Sequence, residues 1–126
     1  KAVSLADARG LLQIQVATGK RMTGGAEPNL FDPEQNVSLG AKYLAQLLHE
    51  NQGKLALALA SYNAGEDAVA RWNKRMGSDD LILFIDLIPY RETRDYVAGV
   101  LANYYWYHSL YKAEPPEIFR NLVAKP

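Results

Sequence analysis

Three polar sites stand inside apolar sequence in this chain. Gln13 lies within Leu11-Leu12-Gln13-Ile14, Tyr62-Asn63 closes an alanine-rich run, and Glu92 follows Ile88-Pro89-Tyr90-Arg91. Buried without a partner, each polar group would cost about 1 to 3 kcal/mol, so each needs either a structural partner or a ligand. On local sequence alone both readings stay open. Asn63 suits the C-terminal end of a helix stopped at Gly65. Glu92 suits a first turn, where the helix dipole favours a carboxylate, with Arg91 or Arg94 as its ion-pair partner. Gln13 suits a bond to a buried backbone group. In chemical terms, amides and a phenol hydrogen-bond a neutral polar ligand and a carboxylate can move a proton.

Other kinds of site have no support. With no cysteine among 126 residues, disulfides, Cys-ligated zinc, iron–sulfur clusters and thiol nucleophiles are excluded. No H-E-x-x-H, phosphate-binding loop, dinucleotide glycine fingerprint or Asp-rich calcium loop occurs, and His49 and His108 stand alone, so neither a metal nor a cofactor is expected. Fourteen Lys and Arg balance fourteen Asp and Glu, which argues against nucleic acid held by bulk charge. The most apolar stretch, Leu81 to Pro89, is interrupted at Asp86 and falls well short of the roughly 20 residues of a membrane span. Tyr104, Tyr105, Tyr107 and Tyr111 read as core and surface packing in preference to a sugar platform.

The elements that position these residues follow from periodicity. A length of 126 residues with 48% hydrophobic content supports one globular domain over residues 1–126. Up to Thr18 the apolar residues are too close-set for one helical face and are broken by Gly10, which predicts a turn and a short buried segment. Gly19 to Asn29 reads as the longest loop. Asp32-Pro33-Glu34-Gln35 predicts a helix start, with Asp32 as N-cap and Gln35 at the capping-box distance. That helix would turn Val37, Ala41, Leu44 and Leu48, with Leu47 beside them, to the core and end near Gly53. Leu55, Leu57 and Leu59 alternate with alanines, and the stop at Asn63-Ala64-Gly65 favours a buried helix over a strand. A short amphipathic helix buries Ala68, Val69 and Trp72 and ends at Gly77. Ser78-Asp79 caps the next apolar segment and Pro89 stops it. The clearest helix runs from about Arg91 to Lys112, its inner face formed by Tyr96, Val97, Val100, Leu101, Tyr104, Tyr105 and His108 and mostly aromatic. After Pro115-Pro116 a short helix is expected over Glu117 to Val123. The fold expected is all-α, with about six helices.

Four strings occur in order: Ala8-Arg9-Gly10-Leu11-Leu12-Gln13-Ile14, Asp32-Pro33-Glu34-Gln35-Asn36-Val37, Ser61-Tyr62-Asn63-Ala64-Gly65, and Ile88-Pro89-Tyr90-Arg91-Glu92-Thr93-Arg94-Asp95-Tyr96-Val97. Together they resemble the catalytic domain of the soluble lytic transglycosylases, over nearly the whole chain up to about Tyr111. The resemblance implies a lysozyme-like helical fold and cleavage of the β-1,4 bond between N-acetylmuramic acid and N-acetylglucosamine in bacterial peptidoglycan. A single Glu protonates the leaving oxygen and then, as a base, helps the muramyl 6-hydroxyl close a 1,6-anhydro ring. In the family that Glu belongs to a Glu-Ser pair shortly before the Ala-Val-Ser segment. The resemblance therefore implies that it lies upstream of Lys1, that the domain is truncated at its N-terminus, and that no catalytic residue is present here. None of Glu27, Glu34, Glu50, Glu66 or Glu92 holds that place in the motif order.

The resemblance carries Ser4, Gln13, Tyr62, Asn63 and Glu92 over as groove residues and supports of the catalytic carboxyl, and Gln15 is counted with them. It implies that Tyr62, Asn63 and Glu92 share a groove floored by Gln13, with peptidoglycan glycan strands as partner in the bacterial cell envelope, periplasmic or outer-membrane associated. An apolar cleft is expected where a preceding helix would pack, filled by that helix or by a second chain. Two departures stand out: Asp7 where the family usually has Gly, and Gln15-Val16 where Met-Pro is usual. Alternative readings are a non-catalytic peptidoglycan-binding or scaffolding module that has lost the Glu, and a hydrolase of the goose-type lysozyme sort.

Overall fold

The computed structural model describes residues 3–112, 114 and 116–119. Six α-helices dominate: α1 Val16–Met22, α2 Pro33–Glu50, α3 Leu55–Ala64, α4 Glu66–Met76, α5 Leu81–Asp86 and α6 Arg91–Lys112. Two short strands, β1 Ala8–Arg9 and β2 Ile14–Gln15, precede them. The chain divides into two compact units, Lys1–Ala58 and Leu59–Pro126.

In the first unit the segment before Thr18 is a hairpin. β1 and β2 pair antiparallel with Ala8 opposite Gln15 and Arg9 opposite Ile14. The turn between them closes with the Gln13 N–H donating to the Gly10 carbonyl at 3.2 Å. Gly10 has φ +76°, and a Cβ there would collide with the Leu30 carbonyl oxygen and the Asn36 side chain, so only glycine fits. Ile14, Leu30 and Leu39 form the buried cluster beneath the hairpin, with Leu12, Val16 and Met22 packed against it.

Helix α1 corrects the expectation of a loop from Gly19. Gly19 is buried in mid-helix because a side chain there would press on Pro28 and Leu30, so this glycine marks a close approach and not a turn. Both departures from the family pattern fall where this backbone explains them. Asp7 has φ +55°, the left-handed region that glycine favours. Val16 is the first residue of α1 and follows Gln15 at φ −69°, ψ 144°, geometry that suits a residue before proline. Val16→Pro is therefore expected to stabilise the chain by about 0.4 to 1 kcal/mol, read as a higher denaturation midpoint. A lower midpoint would show that the Val16 N–H is needed.

Helix α2 starts as expected, with Asp32 accepting from the Gln35 N–H at 2.8 Å and Pro33 in the first turn. The capping box is not closed, because the Gln35 side chain accepts from the Asn29 N–H instead. The buried face is also displaced by one residue. It comprises Asn36, Leu39, Gly40, Tyr43 and Leu47, while Val37 and Ala41 are exposed and Leu44 and Leu48 half-buried. A count of apolar types passes over Asn36 and Gly40, yet both are needed there. A Cβ on Gly40 would strike the Leu12 side chain.

The helical reading of Leu55 to Ala64 holds, and Ala56, Ala58, Leu59, Ala60 and Ser61 are buried. In the second unit α4 buries Val69 and Trp72, leaves Ala68 half-buried, and ends at Gly77 as its periodicity predicts. The cap of α5 is Asp80, accepting from the Leu83 N–H, rather than Ser78-Asp79. Phe84 of α5 packs on Trp72 with ring centroids 5.8 Å apart. Helix α6 has the bounds expected, and Val97 and Leu101 of the expected inner face are buried, but most of its aromatic part is not. Thr93, Val97 and Leu101 are its buried residues, Tyr96, Tyr105 and His108 are half-buried, and Tyr104, Tyr107 and Tyr111 are exposed. Among the described residues, the last fully buried side chain of α6 is Leu101, half-way along the helix. A 3₁₀ turn at Glu117–Phe119 stands at the start of the expected terminal helix, the rest of which lies outside the described residues.

Candidate functional site

Each unit carries its own half of the sequence-predicted residues. In the first unit the turn bearing Gln13 is held from behind by Asn36, which is wholly buried. The Asn36 Oδ1 accepts from the Leu12 N–H at 2.7 Å, while its Nδ2 donates to the carbonyls of Arg9 at 2.8 Å and Leu30 at 2.9 Å. One side-chain amide thus satisfies three backbone groups brought together from separate parts of the sequence. Gln13 itself is exposed and takes φ +49°, a strained conformation for a side chain of its size. Its Nε2 donates to the Gly10 carbonyl at 2.9 Å. The bond to a backbone group is therefore present, but on the surface of the turn.

Ser4 shapes the loop before β1, its Oγ accepting from the N–H groups of Ala6 and Ala8 at 3.2 and 3.1 Å. Asp7 and Arg9 pair through two hydrogen bonds of 2.9 and 3.0 Å, and that hydrogen-bonded partner raises the Arg9 pKa above its ordinary value. Gln15 is exposed at the start of α1 and makes no side-chain capping bond.

In the second unit, Asn63 is exposed near the end of α3, and its Oδ1 accepts from the buried Thr93 hydroxyl at 2.7 Å. Gly65, with φ +88°, turns the chain out of α3 directly afterwards. Thr93 was not singled out from sequence, although a hydroxyl beside Glu92 on the buried side of a helix start is a signal of the same kind. With its oxygen engaged, Asn63 directs two amide hydrogens outward. Glu92, next to Thr93 on the first turn of α6, is exposed. Neither expected arginine pairs with it. Arg91 lies 3.7 Å from Asp95, and Arg94 reaches the Asp86 carbonyl. Tyr62 is half-buried. Burial raises the pKa of Tyr96 one turn further along α6.

Thr93→Val keeps the shape of the side chain and removes only the donor. It is expected to cost about 1 to 2 kcal/mol of stability. An unchanged denaturation midpoint would show that the Asn63 contact carries no net energy.

The second unit offers the exposed Asn63 amide, the half-buried Tyr62 and the exposed Glu92 carboxylate, groups suited to a neutral polar ligand. Among the described residues no group of three His, Cys, Asp or Glu side chains could hold a metal ion, and no helix is long and apolar enough to cross a membrane. The four sequence strings meet in two pairs. Those around Gly10 and Asp32 meet through Asn36, and those around Asn63 and Glu92 meet through Thr93.

Residues 1–85 match the model of the transglycosylase SLT domain, and residues 87–116 match that of the soluble lytic transglycosylase helical domain. The chain belongs to the transglycosylase SLT domain family. It is 32% identical over 126 residues to the soluble lytic murein transglycosylase of Escherichia coli strain K12, covering 94% of this chain and 19% of that protein. It is 32% identical over 107 residues to the membrane-bound lytic murein transglycosylase F of Desulfosudis oleivorans, covering 76% of this chain and 23% of that one. Among solved structures it resembles an inactive glutamate-to-glutamine mutant of lytic transglycosylase Slt from Pseudomonas aeruginosa. The TM-score is 0.80 at 35% identity, over 93% of this chain and 20% of that one. The chain thus spans about a fifth of the length of the curated relatives it matches. The all-α, lysozyme-like fold expected from sequence is the fold found.

Proposed function

We propose that this chain is the greater part of a lytic transglycosylase domain that cleaves the β-1,4 MurNAc–GlcNAc bond of peptidoglycan and leaves 1,6-anhydro-MurNAc ends. The observation that carries the reading is the pairing of the four strings through Asn36 and Thr93. Residues that resemble the family's motifs are tied together by part-buried polar bonds, while the side chains able to meet a ligand stay at the surface.

In this reading Asn63, Gln13 and Gln15 donate to the acetamido and hydroxyl oxygens of a neutral glycan. Ser4 holds the loop that precedes β1, and Tyr62 offers an apolar ring face that desolvates the acid and raises its pKa toward neutrality. Glu92 supports the site and is not the proton donor. The donor is assigned to a glutamate outside residues 1–126, in keeping with a structural relative whose inactive form differs by a single glutamate-to-glutamine change. The setting is the bacterial cell envelope, periplasmic or outer-membrane associated.

The test is mass analysis of muropeptides released from purified sacculi by the chain joined to the glutamate-bearing segment that precedes it. Products lighter by one water than reducing-end muropeptides support the proposal. Reducing ends would instead identify a hydrolase, and binding without release a non-catalytic module.

A further inference from the structure

Thr93 spends its hydroxyl in an unexpected direction. It lies in the first turn of α6, 3% exposed, one turn from the wholly buried Val97. A threonine in a helix commonly satisfies its hydroxyl on a carbonyl three or four residues back. The Tyr90 carbonyl stands in that place, accepting from the Arg94 N–H at 2.9 Å with a second lone pair to offer. The Thr93 Oγ1 instead donates at 2.7 Å to the Oδ1 of Asn63, which is exposed near the end of α3. A hydroxyl that needed only to be satisfied had a nearer acceptor.

We propose that Thr93 is a positioning residue that sets the polarity of Asn63. A free surface amide turns over between presenting its oxygen and presenting its NH2 group to a ligand. With the Oδ1 held from the buried side, the two Nδ2 hydrogens face outward, so this point of the surface meets an acceptor oxygen and turns away a donor. The wholly buried Ile88 and Val97 on either side of Thr93 keep the hydroxyl in place. Thr93 acts on the reaction through Asn63 alone. The identity of the ligand oxygen rests on the peptidoglycan reading above, and the bond does not. Ordering one polar side chain before the ligand arrives is worth about three- to tenfold in affinity.

The experiment uses the chain joined to the glutamate-bearing segment that precedes it, with soluble peptidoglycan strands freed of stem peptides as substrate. Thr93→Val removes the hydroxyl and keeps the shape. Thr93→Ser keeps the hydroxyl and removes a buried methyl. Both variants should melt below the parent, yet only the Val variant should lose kcat/KM, by about three- to tenfold. The loss should fall on KM, with kcat and its pH profile unchanged, because the bond acts on binding and not on the acid. Asn63→Asp keeps an acceptor for Thr93 but removes the outward hydrogens, and should lose at least as much kcat/KM. Nitrogen-15 relaxation of the Asn63 side-chain amide, assigned by its disappearance in Asn63→Asp, reads the bond without substrate. Its order parameter should be about 0.85 in the parent and the Ser variant and below about 0.6 in the Val variant.

An Asn63 amide equally ordered in the parent and the Val variant overturns the proposal. So does a Ser variant as slow as the Val variant, which would make Thr93 a packing residue whose loss is felt through stability. Full activity of Asn63→Asp would show that the outward hydrogens are not what the ligand meets, and overturns it as well. A parent that releases no anhydro product overturns the peptidoglycan reading and, with it, the part assigned to this bond in that reaction. A parent that releases product while Thr93→Val matches it in KM sinks only the positioning role.

Discussion

Asn36→Leu is expected to lower the melting temperature by about 10 to 20 °C. The side chain is wholly buried and serves the Leu12 N–H and the Arg9 and Leu30 carbonyls at 2.7 to 2.9 Å. An isosteric apolar replacement removes the bonds that Asn36 makes to all three backbone groups. Each unsatisfied group costs about 1 to 3 kcal/mol, and partial relaxation brings the total to about 3 to 5 kcal/mol. Asn36→Asp is the informative companion. It keeps an acceptor for Leu12 but sets a carboxylate against two carbonyl oxygens, so its folded pKa is raised above the unfolded value near 4. Its stability is greatest below that value and is lost as pH rises through the folded pKa. Thermal melts of both variants across pH 3 to 8 check this. Midpoints within about 2 °C of the parent would show that the turn does not depend on Asn36.

The second large effect concerns catalysis. The chain alone is expected to release no detectable anhydro-muropeptide from sacculi. Positioned acid catalysis supplies roughly 10² to 10⁴-fold in rate, and an oxocarbenium-like glycosidic transition state depends on it heavily. Glu92, the carboxylate nearest the Asn63–Thr93 bond in sequence, is solvent-exposed on the first turn of α6 and does not hold the place of the acid in the motif order. Adding the glutamate-bearing segment should restore release. Robust release by the chain alone would show that one of its own carboxylates is the acid, and the assignment of Glu92 as a supporting residue would then be wrong.

How much of this was legible in the sequence depends on what each residue contacts. The ends of α2, α3, α4 and α6 were readable because they are fixed by local chemistry: Asp32-Pro33 at a start, Gly65 and Gly77 after stops, and the charge break at Arg91. The inward face of α2 was not, because hydropathy counts against Asn36 and Gly40, while in the fold one is fully bonded and the other makes room for Leu12. Helix α1 was hidden by Gly19, whose role is to admit Pro28 and Leu30. The aromatic periodicity of α6 was correctly seen but placed too deep, since sequence does not show that, among the described residues, the last fully buried side chain of this helix is Leu101 while Tyr105 and His108 are only half-buried. At the site, the polar residues within apolar runs pointed to Gln13, Asn63 and Glu92. Thr93, the bond that fixes Asn63, was passed over because threonine is unremarkable in a helix.

The tie made by Asn36 also sets a clock. The Leu12 amide sits in a four-residue surface turn, where solvent exchange is ordinarily fast. Its hydrogen is held by a side chain with no exposure and two further bonds, so it can exchange only when that whole junction opens. In deuterium exchange, Leu12 should rank with the slow amides of α2 and not with its loop neighbours. The turn would then open as a single event, with the strained Gln13 carried along each time.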